Sequence, residues 1–256
     1  MRKQDGSAGD ADYGAIGGGY RTYRQPEPAF EAAIGTALGE ARTVLNVGAG
    51  AGSYEPTDRT VMAVEPSASM RAQRPPGRLP AINATAEELP FDDASFDAAM
   101  TTFSVHQWAD LEAGLAELRR IARGPVVIMT ADPTRVPDFW LADYAPQVLD
   151  TEARRYPAVD RIAAALGGSV DVIELPIPLT CRDGFSEAYY GRPECFLDPG
   201  RRKANSAWSF VAPDDAERAV RELESALASG TWDSTYGHLR TEPTFRGSLV
   251  LITAMP

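Results

Sequence analysis

The sequence predicts an α/β fold built on a mostly parallel sheet, and three observations carry that prediction. Short apolar runs, of the kind buried on both faces of a sheet, recur through the first half of the chain. Segments with helical spacing alternate with them, as βαβ units require. One of the runs opens directly into a glycine-rich turn, at the end of the strand where such sheets bind ligands.

Residues 1–19 are rich in Gly and Asp and lack periodicity, so a mobile tail is expected there, followed by a single domain over 20–256. Phe30, Ile34, Ala37 and Leu38 share one face of a helix over 28–38, punctuated by Pro28 and Gly39. TVLNVG (43–48) and TVMAVE (60–65) read as the first two strands, LPAIN (79–83) as a third, FDAAMTTF (96–103) as a fourth and PVVIMTA (125–131) as a fifth. Between the last two, Leu111, Leu115, Leu118 and Ile121 recur at helical spacing. Asp110 caps that helix, Arg119, Arg120 and Arg123 load its negative end, and Gly124-Pro125 stop it.

The texture changes after residue 131. Pro-containing steps and aromatic residues fill 132–168 and 181–210, while VDVIELPIPL (170–179) and RGSLVLITA (246–254) read as further strands. Val220, Leu223 and Leu227 mark a helix over 213–229 that Gly230 ends. The sheet therefore resumes twice after interruptions. That pattern predicts a cofactor-binding core over 40–132 with lid insertions at 133–168 and 181–240.

Composition narrows the function. Of 256 residues, 44% are apolar and 24% charged, enough for a sizeable core. Lys plus Arg is 25 against 36 acidic residues, a formal charge of -11, and such a field disfavours a nucleic-acid partner. Two cysteines, Cys181 and Cys195, read as free thiols in a reducing compartment, and two histidines are too few for a rich metal cluster, so no metal is expected. No segment has the apolar length of a signal peptide core or a membrane span, which points to a cytoplasmic protein with no membrane partner and of unassigned oligomeric state.

The sharpest motif is NVGAGAGS (46–53). Gly48, Gly50 and Gly52 permit a tight turn and let a ligand approach atoms that a Cβ would block. The dinucleotide fingerprint G-x-G-x-x-G would need glycine at Ser53, so a nicotinamide cofactor loses its packing glycine. Glu65 ends the second strand, where a carboxylate can accept hydrogen bonds from both ribose hydroxyls and would repel a 2′-phosphate. A plain structural turn and a solvated strand-end acid are the alternatives for these two features.

With AVEPSASM (63–70), NATAEELPFDDASFDAAMTTFSVHQW (83–108) and ELRRIARGPVVIMTAD (117–132), the glycine turn gives four motifs in order and spacing. Over residues 20–132 the chain resembles the class I S-adenosylmethionine-dependent methyltransferases, in particular the small-molecule branch that includes the ubiquinone and menaquinone biosynthesis enzymes. The resemblance implies a Rossmann-like seven-stranded sheet with one antiparallel strand near 246–254. It implies S-adenosylmethionine as cofactor, with Gly48, Ala49 and Gly50 under its methionine part, Glu65 on the ribose, and Pro66, Ser67 and Met70 along the adenine. Thr85, Ala86 and Glu87 fall in the adenine segment, where Thr85 replaces the family's usual acid, and Asn46 replaces an acid common in the first strand. Phe103 and Ser104 fall where the family uses backbone carbonyls near the methionine ammonium. GYRTYRQPEP (19–28) resembles the family's Tyr-x-x-Tyr-Arg-Pro segment, so Tyr20, Tyr23 and Arg24 are candidates for the cofactor carboxylate, Arg24 through a charge-assisted bond.

His106, in SVHQW at the carboxyl edge of the fourth strand, is the candidate catalytic residue. It is placed to act as a general base, to line the pocket without taking a proton, or to hold the loop. Tyr23, His106, Trp140 and Tyr189 are the candidate substrate contacts, with the lid aromatics forming either an apolar pocket over the methyl group or simply core. The expected activity is methyl transfer to a small organic molecule. The competing readings are a nucleotide-cofactor oxidoreductase and a repurposed cofactor-binding protein that does not methylate.

Overall fold

A computed structural model of the chain describes residues 20–256. The tail expected at 1–19 and the side chain of Tyr20 lie outside the described residues. In chain order the strands are β1 (Thr43–Val47), β2 (Thr60–Val64), β3 (Ala98–Thr102), β4 (Val126–Ala131), β5 (Ser169–Glu174), β6 (Ile177–Pro178), β7 (Thr244–Phe245) and β8 (Leu249–Met255). The helices are α1 (Tyr20–Tyr23), α2 (Pro28–Leu38), α3 (Ala68–Arg71), α4 (Leu111–Ile121), α5 (Pro146–Arg155), α6 (Val159–Leu166), α7 (Pro199–Lys203), α8 (Pro213–Ser229) and α9 (Thr231–Tyr236).

Six strands form one sheet in the order β2-β1-β3-β4-β8-β5, and β6 pairs with β7 separately. The pairs β1–β2, β1–β3 and β3–β4 are parallel, while β8 runs antiparallel to both β4 and β5. The antiparallel strand thus lies where the sequence placed it, and the fold is Rossmann-like. The strand count is corrected from seven to six. LPAIN yields only an isolated bridge from Ile82 to Val64, held by the Ile82 N–H on Ala63 at 2.8 Å and the Glu65 N–H on Ile82 at 3.0 Å. Pro75, Pro76, Gly77 and Pro80 precede that bridge, denying backbone donors and favouring turns, so no ladder extends from it. The run 170–179 is likewise divided at Pro176 between β5 and β6.

Side chains alternate across the sheet with period two. Val44, Met100, Val127, Met129, Leu249 and Leu251 face one side, where Phe30, Ile34 and Leu38 of α2 cover them. Leu45, Val47, Ala99, Ile128, Val250 and Ile252 face the other, against Leu115, Leu118 and Ile121 of α4 and Ile162 and Leu166 of α6. The first layer continues into an aromatic cluster. Trp140 packs edge-on to Trp232 at 5.3 Å and to Phe196 at 5.7 Å, and its indole N–H donates to the carbonyl of Tyr190 at 2.8 Å. Burying rings of this size contributes a large apolar area, and the N–H bond removes the cost of hiding the indole dipole.

One buried acid fastens this aromatic segment to the sheet. Glu187, 5% exposed, accepts the N–H and the hydroxyl of Ser248 at 2.9 Å each, just ahead of β8. A Cβ on Gly247 would come within 2.5 Å of the same carboxylate, so glycine is required there for the close approach. Burial, reinforced by the charge of Glu152, pushes the Glu187 carboxyl up to about 7 even though Ser248 pulls it down. The folded chain therefore binds more protons than the unfolded one between the ordinary glutamate value and pH 7, and stability must fall as pH rises through that window. We expect a loss of about 3 kcal/mol across it. Urea unfolding at pH 5 and pH 7.5 checks this: Glu187→Gln should flatten the dependence, and an unchanged slope in that variant would remove Glu187 as its source.

Candidate functional site

The parallel strands β1, β2 and β3 end at a cavity enclosing about 890 Å³ with its open mouth. The glycine turn after β1 forms one wall. Gly48, Gly50 and Gly52 have φ of +67°, +53° and +83°, a region that side-chain-bearing residues seldom occupy. A Cβ on Gly48 would lie 1.8 Å from the Ser104 hydroxyl, and one on Gly50 would lie 3.3 Å from the Met70 methyl. The turn is held by the Ala49 N–H on Val64 at 3.0 Å and the Gly52 N–H on Ala49 at 2.8 Å.

Glu65 follows β2 and is buried at 7% exposure. One carboxylate oxygen accepts the Gly50 N–H at 2.7 Å and the other the Ser67 N–H at 2.8 Å. The acid therefore braces the glycine turn and starts α3, while it still lines the cavity. Pro66, Met70, Ala86 and Glu87 line the same space, and Glu87 also caps the approach to α4 by accepting the Ala109 N–H at 2.8 Å. Thr85 is buried beside them without lining the cavity. Trp108 lines it too, with its indole N–H on Ser104 at 3.0 Å and Gly114 of α4 leaving room for its ring.

Beneath the turn lies an ion cluster that sequence reasoning missed. Glu55, 3% exposed, takes both arms of Arg74 at 2.8 and 2.9 Å and an arm of Arg78 at 3.2 Å. The Asn46 amide donates to the same carboxylate at 3.2 Å. No local pattern in the sequence announces these arginine partners of Glu55.

Arg24 is the hinge of the site. Its guanidinium pairs with Asp183 and lies 4.9 Å from the centre of the Phe103 ring. Asp183, 2% exposed, accepts the Tyr54 hydroxyl at 2.7 Å with its other oxygen and also lines the cavity. Burial first, then the Asp183 charge, holds the Tyr54 phenol far above its ordinary range, so it remains a neutral donor. Asp183 was not among the residues singled out from the sequence. Only its Asp-Gly step hints at a turn, and its partners are 129 and 159 positions away.

A second, smaller chamber of about 480 Å³ shares Arg24 and Phe103 with the first. His106 lines this chamber, in a 3-10 turn over Val105–Gln107, with its ring 4.5 Å from that of Tyr156. Phe103, which separates the two spaces, adopts φ of +50° and is anchored by its N–H on Met129 at 2.9 Å.

Three expected contacts fall elsewhere. Trp140 and Tyr189, 5% and 1% exposed, belong to the aromatic core and line neither space, because their rings are packed on Phe196. Tyr23 packs its hydroxyl end against Gly200 of α7, with Arg201 5.7 Å from its ring. Among the described residues no group of three or more His, Cys, Asp or Glu is arranged to hold a metal ion.

Glycine turn, strand-end acid and carboxyl-edge cavity together define a nucleotide-cofactor protein of the open α/β type. Residues 45–128 match the methyltransferase domain family. The ubiquinone/menaquinone biosynthesis C-methyltransferases UbiE of Citrifermentans bemidjiense and of Geobacter sp. strain M21 are 40% identical over 65 residues and 30% identical over 119. Those stretches are 25% and 40% of this chain but only 28% and 51% of the relatives' length. A solved structure from Anabaena variabilis, described as a methyltransferase from an antibiotic biosynthesis pathway, superposes with a TM-score of 0.84 at 27% identity, covering 91% of this chain and 98% of its own. Residues 45–128 thus carry a methyltransferase domain, and the chain is similar to the class I S-adenosylmethionine-dependent methyltransferases, whose cofactor is S-adenosylmethionine. The residues present fit that cofactor: two glycines leave wall space that a Cβ would fill, and one buried carboxylate opens onto it.

Replacing Glu65 by Ala removes an acceptor for two backbone N–H groups as well as for a ribose. We expect cofactor binding to weaken by about 1–3 kcal/mol and the ligand-free protein to lose about 1 kcal/mol, read by calorimetric titration and thermal unfolding. An unchanged dissociation constant would take Glu65 out of the cofactor site. Gly50→Val places a branched side chain at φ +53° against Met70, and binding should vanish while soluble protein is recovered. Native affinity in that variant would leave the turn with a structural role only.

Proposed function

We propose that this protein transfers the methyl group of S-adenosylmethionine to a small organic acceptor in the cytoplasm. The observation that supports the reading is the meeting of two chambers at Arg24 and Phe103, one beside the glycine turn and Glu65, the other beside His106. When bound, the cofactor supplies an electrophilic methyl group on a sulfur that leaves readily. Little covalent assistance is needed, so the protein's part is to align the acceptor and keep water out.

In this reading Gly48, Ala49 and Gly50 pass beneath the methionine portion, Glu65 holds the ribose, and Pro66, Met70, Ala86 and Glu87 border the adenine. Of the group expected around the cofactor carboxylate, Arg24 is the one kept in this reading, held in place by Asp183. Phe103 partitions the cofactor from the acceptor, and His106 takes the proton that an acceptor hydroxyl or ammonium must lose. The two thiols, free in the structure, suit a reducing compartment, and among the described residues no helix is long and apolar enough to cross a membrane.

Heating the protein with S-adenosylmethionine or S-adenosylhomocysteine should raise its unfolding temperature, and the absence of a shift with both would remove the reading. His106→Ala should lower turnover by about 100-fold with cofactor affinity kept. A loss smaller than about tenfold would assign the rate to positioning rather than to proton transfer.

A further inference from the structure

The central sheet ends on an open strand. β5 is the last in the order β2-β1-β3-β4-β8-β5, and among the described residues it forms a ladder with β8 alone. Leu175, directly after β5, donates its N–H to Leu249 at 2.9 Å, so Ile173, Asp171 and Ser169 also turn their backbone groups toward β8. The alternate residues, Val170, Val172 and Glu174, turn theirs outward, where none of the described residues meets them. Edges of this kind are usually guarded by lysine, proline, a bulge or extreme shortness. β5 has none of these: SVDVIE runs six residues in unbroken register with β8. Val172 and Ile173 are 42% and 43% exposed, and Met255, opposite Ser169 on β8, is 45% exposed. Large apolar side chains are thus left in water along one edge.

A second copy of the same strand fits this edge in one antiparallel register. Centred on Val172, that register sets Val172 against its own copy and Val170 against Glu174, so every outward N–H and C=O of both strands is matched. A shift in either direction leaves outward groups unmatched. The two Val172 side chains cover each other on one face, and on the other Ile173 lies opposite Asp171 of the second copy. Charge permits the pairing. Glu174 is already answered by Arg135 at 2.5 Å and Arg246 at 3.7 Å, and no acid stands directly opposite an acid. Asp171 meets its copy only on a diagonal of about 7–8 Å. We propose that two copies of this chain associate through β5, joining their sheets edge to edge about a two-fold axis at Val172. β5 lies at the far end of the sheet from β2, so the cavity at the glycine turn stays open in both copies. The pairing stands apart from the methyl-transfer reading and needs no turnover to test it.

One strand pair is a small interface, so a dissociation constant of about 10–100 µM is expected. Sedimentation velocity from about 1 µM to about 500 µM should show monomer passing to dimer. Over the same range, amide exchange followed by NMR should slow by about fivefold or more at Val170, Val172 and Glu174. Asp171, Ile173 and Leu175, bonded within their own chain, should keep their rates. Val172→Pro removes an outward N–H that β8 does not use, a place where edge strands tolerate proline. That variant should stay folded with its S-adenosylhomocysteine affinity kept, while dimerisation weakens by about tenfold or more. If it does not fold, Val172→Lys sets like charges against each other across the two-fold axis and should give the same loss. A monomer throughout the concentration range overturns the proposal. So does a dimer that leaves the three outward amides exchanging as fast as in the monomer, or one indifferent to whichever variant folds.

Discussion

The carboxylate of Asp183 is the point on which three distant stretches of chain converge. One oxygen holds Arg24, which follows α1, and the other holds Tyr54, just past the glycine turn, while its own backbone forms a bridge to that of Arg24. Neighbouring bonds repeat the connection: the Glu27 N–H donates to the Tyr54 hydroxyl at 3.3 Å, and the Glu27 carboxylate accepts the Arg182 N–H at 3.0 Å. A charge 2% exposed is tolerable only with its partners present, and breaking such a pair costs about 3–5 kcal/mol. The arginine that faces both chambers therefore has its orientation set by the same network that closes the aromatic segment over the sheet.

Much of the central sheet was legible because it is locally encoded. β1 and β4 are mostly apolar runs, and α4 declares itself by leucine spacing, an Asp110 cap whose carboxylate accepts the Ala113 N–H at 3.0 Å, and a Gly-Pro stop. The glycine turn and Glu65 were legible for the same reason, being a short signal directly after a strand. What stayed hidden depends on contacts made across the chain. Trp140 and Tyr189 carry no local mark that separates a pocket ring from a core ring, and the choice falls to Phe196 and Trp232. Asp183 and Glu55 read in sequence as ordinary acids, and only tertiary packing buries them. LPAIN looked like a strand by composition, but Pro80, with Pro75 and Pro76 ahead of it, removed donors a ladder needs.

Arginines around the site are answered by buried acids, Arg24 by Asp183 and Arg74 and Arg78 by Glu55. A chain with a formal charge of -11 places Arg24, Arg74, Arg78 and Arg155 around its two chambers and beneath its glycine turn. Pairing Glu55 with two arginines gives the turn a rigid floor: the fork-shaped contact of Arg74 fixes direction as well as distance. Rigidity there matters because the turn offers its ligand only backbone atoms, whose positions cannot adjust by rotamer change.

Phe103 is held in a left-handed backbone conformation that a bulky residue adopts at a cost of about 1–3 kcal/mol. Glycine would relieve that cost at once, yet glycine has no ring. The position thus sets two design aims against each other: any attempt to make the enzyme hardier by relaxing this bend would dissolve the partition between its compartments and take away the aromatic face on which Arg24 rests. Glycine at this position would thus trade a more relaxed backbone for a single merged hollow in place of two.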